Sequence, residues 1–106
     1  MYAFLAIQKE HETIIKIITE ATVVDSKQVA LSSNPYVQSL ADAMIELSHE
    51  NNLFHNDIQR IGLNIGNIEA IGYDTHELLK SDLEATFGFE AIVQSDYEAL
   101  LNRLIQ

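Results

Sequence analysis

Proline occurs once in these 106 residues, at Pro35. That scarcity is the strongest single constraint on what the chain can fold into. A chain built only of strands needs frequent turns, and one proline is far too few to punctuate them. The apolar residues are therefore read by helical spacing.

Phe4, Ile7, His11, Ile14, Ile18 and Ala21 step by three or four, one face of a first helix over residues 3–22. Ile15 and Ile17 widen that face and make this helix central. The β-branched run Thr22-Val23-Val24 ends it, leaving residues 23–34 as a linker with a turn at Ser32-Ser33-Asn34. A second helix follows, capped by Ser33 or Asn34, with Pro35 in the first turn where its missing N–H costs nothing. Val37, Leu40, Ala41, Met44, Leu47 and Ser48 line one side of it, and it ends near Glu50-Asn51-Asn52. A third is expected from Asn56 to Ile71 on the stripe Ile58, Ile61, Ile65 and Ile68. Gly62 and Gly66 either let another backbone approach there or weaken the helix.

Asp74 with Glu77 three residues on forms a capping box for a fourth helix, with Tyr73 placed to staple onto Leu78 and Gly88 as its stop. Ser95 with Glu98 opens a fifth, burying Tyr97, Leu100, Leu101, Leu104 and Ile105. The short apolar stretch Phe89–Val93 fits a helical turn or a brief strand equally. The expectation is an all-α fold: one helical domain over residues 1–106, a compact bundle of four to five short helices.

With 47% apolar residues the chain can bury a core. It has no cysteine, so disulfides, thiolate metal sites and a catalytic thiol are all excluded. That absence favours a reducing, cytoplasmic setting. The run Met1–Ile7 lacks a basic start and stops at Gln8-Lys9-Glu10, unlike a signal peptide. No window approaches the roughly 20 apolar residues of a membrane span.

Sixteen acidic residues face six basic ones, a net charge of −10. Phosphates would be repelled, so neither direct nucleic-acid binding nor an anionic membrane surface is expected. A basic partner protein is favoured instead. Residues 67–106 hold eight acids against Lys80 and Arg103, a net of −6. Helix dipoles account for Asp74, Glu77, Asp96 and Glu98 but not for Asp82, Glu84 and Glu90, which fall late in a helix or after it. The expected partner-facing surface is Glu77, Asp82, Glu84, Glu90 and Glu98, with Tyr73 and Tyr97 as candidate anchors.

Catalytic and cofactor chemistry finds little footing. Glu46 and His49 make half of a carboxylate-bridged di-metal pattern, and no second Glu-x-x-His exists. There is no Gly-x-Ser-x-Gly elbow. Gly62-Leu63-Asn64-Ile65-Gly66 lacks the Gly-Lys-[Ser/Thr] of a phosphate loop, and no strand is expected ahead of it. No catalytic residue, metal or cofactor is assigned. The reading is a non-enzymatic inhibitor of a basic protein, an immunity protein or antitoxin neutralising a nuclease toxin. The alternatives are a helical adaptor acting through homo-oligomerisation and a phage-type nucleic-acid mimic.

Overall fold

Strands, not a helix, occupy most of the first 29 residues. The computed structural model describes residues 2–20, 22–31 and 35–105. Its elements are β1 (Tyr2–Gln8), β2 (Thr13–Thr19), β3 (Thr22–Val29), α1 (Tyr36–Glu50), β4 (Ile58–Asn64), α2 (His76–Phe87), β5 (Glu90–Gln94) and α3 (Tyr97–Leu104). Single 3-10 turns lie at His55–Asp57 and Glu69–Ile71. The all-α expectation is thus corrected: this is an α/β fold with a five-stranded mixed sheet in the order β3-β2-β1-β4-β5.

The physical reason lies in residue type. Six of the seven residues of β2, Thr13-Ile14-Ile15-Lys16-Ile17-Ile18-Thr19, are β-branched. Such side chains are stiff at χ1, fit a pleated surface, and crowd the preceding turn of a helix. β1 is buried on both faces, from Ala3 through Ala6, so its apolar residues run on without alternating. The three- and four-residue spacing across residues 4–21 is a coincidence of two such strands joined by a hairpin. The expected linker 23–34 mostly belongs to β3, an edge strand with a largely exposed face. The turn placed at Ser32-Ser33-Asn34 lies outside the described residues.

β1 pairs antiparallel with β2, β2 antiparallel with β3, and both β1 with β4 and β4 with β5 run parallel. The chain therefore leaves β3, β4 and β5 at the same edge of the sheet, the carboxyl edge of β1. All three helices begin there. α1 and α2 pack on one face over Phe4, Ala6, Ile15, Ile17, Ile61 and Leu63. α3 packs on the other, over Ala3, Leu5, Ile18 and Ile92. Each fully buried leucine or isoleucine contributes about 1.5–3 kcal/mol of transfer free energy.

The third expected helix is β4. Its Gly62 is a packing position: a Cβ there would sit 2.6 Å from Leu104 Cδ1 and 2.8 Å from Leu100 Cδ1. Strand and helix α3 thus meet at a distance only glycine allows. The later helices stand close to where the sequence puts them. α1 buries Val37, Leu40, Ala41, Met44, Leu47 and Ser48. Its cap position is Pro35; Ser33 and Asn34 lie outside the described residues. The α2 cap is Thr75, whose side chain accepts from the Leu78 N–H, one residue beyond Asp74. Leu78 is 55% exposed, so it is no staple for Tyr73. Gly88 ends α2 in the left-handed conformation. Asp96, not Ser95, caps α3, accepting from the Glu98 and Ala99 N–H groups. The stretch Phe89–Val93 forms the strand β5 from Glu90 on, with Phe89 just ahead of it. Among the described residues no helix is long and apolar enough to cross a membrane.

Candidate functional site

In open α/β sheets, ligands enter the crevice outside the carboxyl ends of the parallel strands. Here that edge gathers the ends of β1, β4 and β5, the β1–β2 hairpin tip at residues 9–12, and the starts of the three helices. Cavities of about 570, 260 and 240 Å³ open along it.

Gln8, the last residue of β1, occupies the centre. Its Oε1 accepts from the Gly66 and Asn67 N–H groups, both at 2.8 Å, and its Nε2 donates to the Asn67 carbonyl at 2.9 Å. Two adjacent backbone N–H groups after a strand are the kind of nest that could cradle an anion; here a side-chain amide of the same chain already fills it. Asn67 Oδ1 accepts in turn from the Glu69 and Ala70 N–H groups. Asn64, ending β4, donates through Nδ2 to the Gln94 and Ser95 carbonyls, each at 3.2 Å. Gln8 therefore ties β1 to the turn after β4, Asn64 ties the end of β4 to the end of β5, and Asn67 closes the turn between them. The strand that a glycine-rich phosphate motif requires is present after all, as β4. Gly62 lies inside it against α3, and the Gly66 N–H is taken by Gln8.

On one wall the Thr13 and Tyr36 hydroxyls share a buried hydrogen bond of 2.6 Å between β2 and α1. Burial pushes the Tyr36 phenol up, partly offset by that bond. At the α2 end the Tyr73 hydroxyl donates to the Asp82 carboxylate. The Tyr73 phenol is held well above its ordinary value, first by burial and then by Asp82. Lys9, Glu10 and His11 stand on the hairpin tip, where the Lys9 N–H donates to the Glu12 carbonyl at 2.8 Å.

The seven residues expected to face a partner are divided between the two faces of the sheet. Tyr73 and Asp82 are joined by their hydrogen bond, and Glu77 is exposed in the first turn of α2. Glu84 accepts from Lys80 Nζ at 2.9 Å and from the Ala91 N–H at 3.1 Å, which hold its carboxyl below the usual range. Glu90 lies 3.7 Å from the Arg60 guanidinium on the strand pair β4–β5. Tyr97 and Glu98 belong to α3, on the face opposite α2, with Tyr97 packed into that side's core. Glu46 and His49 are exposed on α1, and among the described residues no three His, Asp or Glu side chains converge on a possible metal site. The Gln8 cradle escaped sequence reasoning, because an amide ending a strand carries no motif. Once β1 is recognised as a strand, its terminal position at the carboxyl edge is the signal.

No protein-family model matches the sequence, and no curated protein matches it. Solved structures do. YeaZ from Pseudomonas aeruginosa superposes with a TM-score of 0.57 at 13% identity, covering 96% of this chain and 46% of that one. A second structure, described as an uncharacterized protein with similarity to peptidase YEAZ from Pseudomonas aeruginosa, gives a TM-score of 0.60 at 12% identity with the same coverages. The likeness is one of fold, and the chain spans just under half the length of the structures it matches. This shared α/β fold overturns the functional expectation. Immunity protein, antitoxin, helical adaptor and nucleic-acid mimic were all readings of a small acidic helical bundle, and the molecule is not one.

Proposed function

We propose that this chain, whose fold resembles about half of a YeaZ-like structure, is a non-catalytic binding protein that acts by docking onto another protein. The observation that carries the reading is the Gln8 cradle. At the edge where this class of sheet receives ligands, both inviting N–H groups are bonded to Gln8 Oε1 at 2.8 Å. The neighbouring strand end is closed by Asn64. A neutral amide with its donor and acceptor both engaged supplies neither a nucleophile nor a general base. The net charge of −10 disfavours phosphate-bearing ligands and favours a basic protein surface.

One of the matched structures is similar to a peptidase, so peptide hydrolysis is the sharpest test. The purified chain is assayed against a fluorogenic peptide library and for ATP hydrolysis, beside Gln8→Ala and His11→Ala. The expected result is no turnover above the buffer rate for any of the three. Turnover by the unaltered chain that either substitution abolishes would overturn the reading. Affinity capture from the native host, followed by reconstitution with the purified captured protein, should give a complex of fixed stoichiometry by light scattering.

A further inference from the structure

The opposite, amino edge of the parallel strands carries a different kind of opening. An apolar cleft of about 290 Å³ lies between the ends of α1 and α2, lined by Phe4, Phe87, Phe89, Ile45, His49 and His55. Phe4 meets Phe87 edge-on at 5.9 Å, Phe87 and Phe89 stand 5.7 Å apart, and the His55 ring lies 5.5 Å from Phe89. Of the lining residues Ile45 is 47% exposed, and beside His49 stands Phe54, 60% exposed with its ring 5.6 Å away. Large apolar groups left in water beside a ready-made aromatic cleft mark a contact surface. The cleft lies at the low end of small-molecule pockets, which span about 300–1,000 Å³. It suits one bulky side chain better than a free ligand.

Next to it, sharing Ile45 and His49, runs a shallow groove of about 560 Å³ along α1, lined also by Asp42, Glu46 and Glu50. These three acids recur every fourth residue, one helical turn apart and about 6 Å along the axis. Neither opening is lined by Lys or Arg; Lys27 of β3 reaches Glu50 at 3.8 Å from outside the groove, with both side chains about half exposed, so a partner's cation competes with it only at that end. We propose that this edge is the docking site for an amphipathic basic helix of a partner protein, which seats an aromatic or branched anchor among Phe4, Phe87 and Phe89 and sets Lys or Arg, one turn apart, against Asp42, Glu46 and Glu50. This is the helix-in-groove mode, with charge fixing register. A second copy of this chain does not meet that description. Among the described residues, α1 carries no Lys or Arg, α2 only Lys80 and α3 only Arg103. The inference rests on the binding-protein reading and names its surface.

Two synthetic 18-residue helical peptides test it. They share Leu and Trp at the same positions, with Lys flanking these in one and Glu in the other. Binding to the full chain is followed by fluorescence anisotropy at low and moderate salt, and located by backbone NMR shifts. The Lys peptide should bind, weaken with salt, and shift residues 42–58 and 86–89, while the Glu peptide should not bind. Ile45→Ser and Phe54→Ala alter exposed positions and should leave the fold intact, which the NMR spectrum verifies. Each should weaken binding about tenfold, as should Glu46→Lys with Glu50→Lys. Equal exposed charge reversals elsewhere, Glu77→Lys with Glu98→Lys, should weaken it no more than twofold. No binding, shifts centred elsewhere, or a greater loss with the 77/98 pair would overturn the site. So would a concentration-dependent mass that Ile45→Ser abolishes, which would assign the edge to self-association. Catalytic turnover would sink the parent reading without altering any of these results, so the two failures are distinguishable.

Discussion

Replacing Gly62 by alanine places one methyl group in the close contact between β4 and α3. The new Cβ would lie 2.6 Å from Leu104 Cδ1, 2.8 Å from Leu100 Cδ1 and 3.0 Å from Leu104 Cδ2. Carbon atoms ordinarily rest about 3.5–4.0 Å apart, so the overlap is about 1 Å with two side chains at once. Both leucines are buried in one cluster with Leu5 and Ile92, so shifting their methyl ends means repacking that side of the core. Overpacking of this kind costs about 1–3 kcal/mol. Opposing it, alanine restricts the unfolded chain by about 0.4–1 kcal/mol. The net expectation is about 1–2 kcal/mol of destabilisation, and about 3 kcal/mol for Gly62→Val. At about 4–8 °C per kcal/mol for a domain near this size, Gly62→Ala should melt about 5–15 °C lower. Urea titration followed by circular dichroism gives the free energies. Gly66→Ala is the internal control: its Cβ would meet the Gln8 carbonyl at an ordinary 3.5 Å, and its cost should stay within about 0.5 kcal/mol. Leu104→Ala alone should cost about 2–3 kcal/mol. In the Gly62→Ala background it removes the Leu104 part of the clash and gives Leu100 room to shift, so the double variant should beat the sum of the singles by about 1 kcal/mol. A Gly62→Ala variant as stable as the parent, or strict additivity with Leu104→Ala, would mean that α3 does not lie on β4 as described.

Gln8→Ala removes three hydrogen bonds, each of net worth about 0.5–1.5 kcal/mol and reduced by exposure. A loss of about 1–2 kcal/mol in urea melts is expected, with Gln8→Glu intermediate because it keeps the acceptor and loses the donor. No loss in Gln8→Ala would dissolve the cradle. Thr75→Ala should cost about 1 kcal/mol as the true cap of α2, and Asp74→Ala clearly less; the reverse order would restore the capping box read from sequence. Asp25 accepts from Asn51 and from the Ser26 N–H, Glu84 from Lys80 and the Ala91 N–H, and all four bonds lower the folded pKa of their carboxylates. Stability from a depressed carboxyl is present above its unfolded value and lost as pH falls through the folded one. The urea midpoint should therefore fall as the solution is acidified below about pH 4.5. The fall should be shallower in Asp25→Asn with Glu84→Gln, and an unchanged slope would show that these two do not carry it.

Legibility divides the molecule by how many faces of an element are buried. α1 was read correctly because one side meets the sheet and the other meets water, so Val37, Leu40, Met44 and Leu47 repeat at helical spacing. Gly88 at φ +83 follows from local chemistry that no tertiary contact overrides, whereas the cap of α3 is Asp96, one residue beyond the expected Ser95. β1 is hidden from helical spacing because Ala3 through Ala6 are buried on both sides of the sheet and its apolar residues do not alternate. β2 and β4 mix buried and part-exposed positions, and a three-four spacing such as Ile58, Ile61, Ile65, Ile68 arises there by chance. Only Ile58 and Ile61 of that stripe lie in β4. The usable sign was composition within the run, above all the β-branched density of residues 13–19. The charge count suffered similarly. Acids adjacent in sequence from Glu77 to Glu98 lie on α2, β5 and α3, and the sheet separates the first from the last.

The two edges of the sheet differ in one property that decides what each can do. At the carboxyl edge the side chains of Gln8, Asn64 and Asn67 are bonded to backbone groups of Gly66, Asn67, Glu69, Ala70, Gln94 and Ser95, so a ligand that took those groups would first have to break these bonds. At the amino edge the lining is Phe4, Phe87 and Phe89. Apolar rings make no bond that must first be broken, and covering Ile45 and Phe54 removes from water surface that the folded chain leaves exposed. Association therefore gains most where the fold has spent least. The acids of α1 supply what apolar contact lacks: Asp42, Glu46 and Glu50 attract a basic helix from a distance and fix where along α1 it settles. Recognition at the amino edge and rigidity at the carboxyl edge follow from the same sheet, because the amides that close one end hold in register the strands that carry Phe4 and Ile58 at the other.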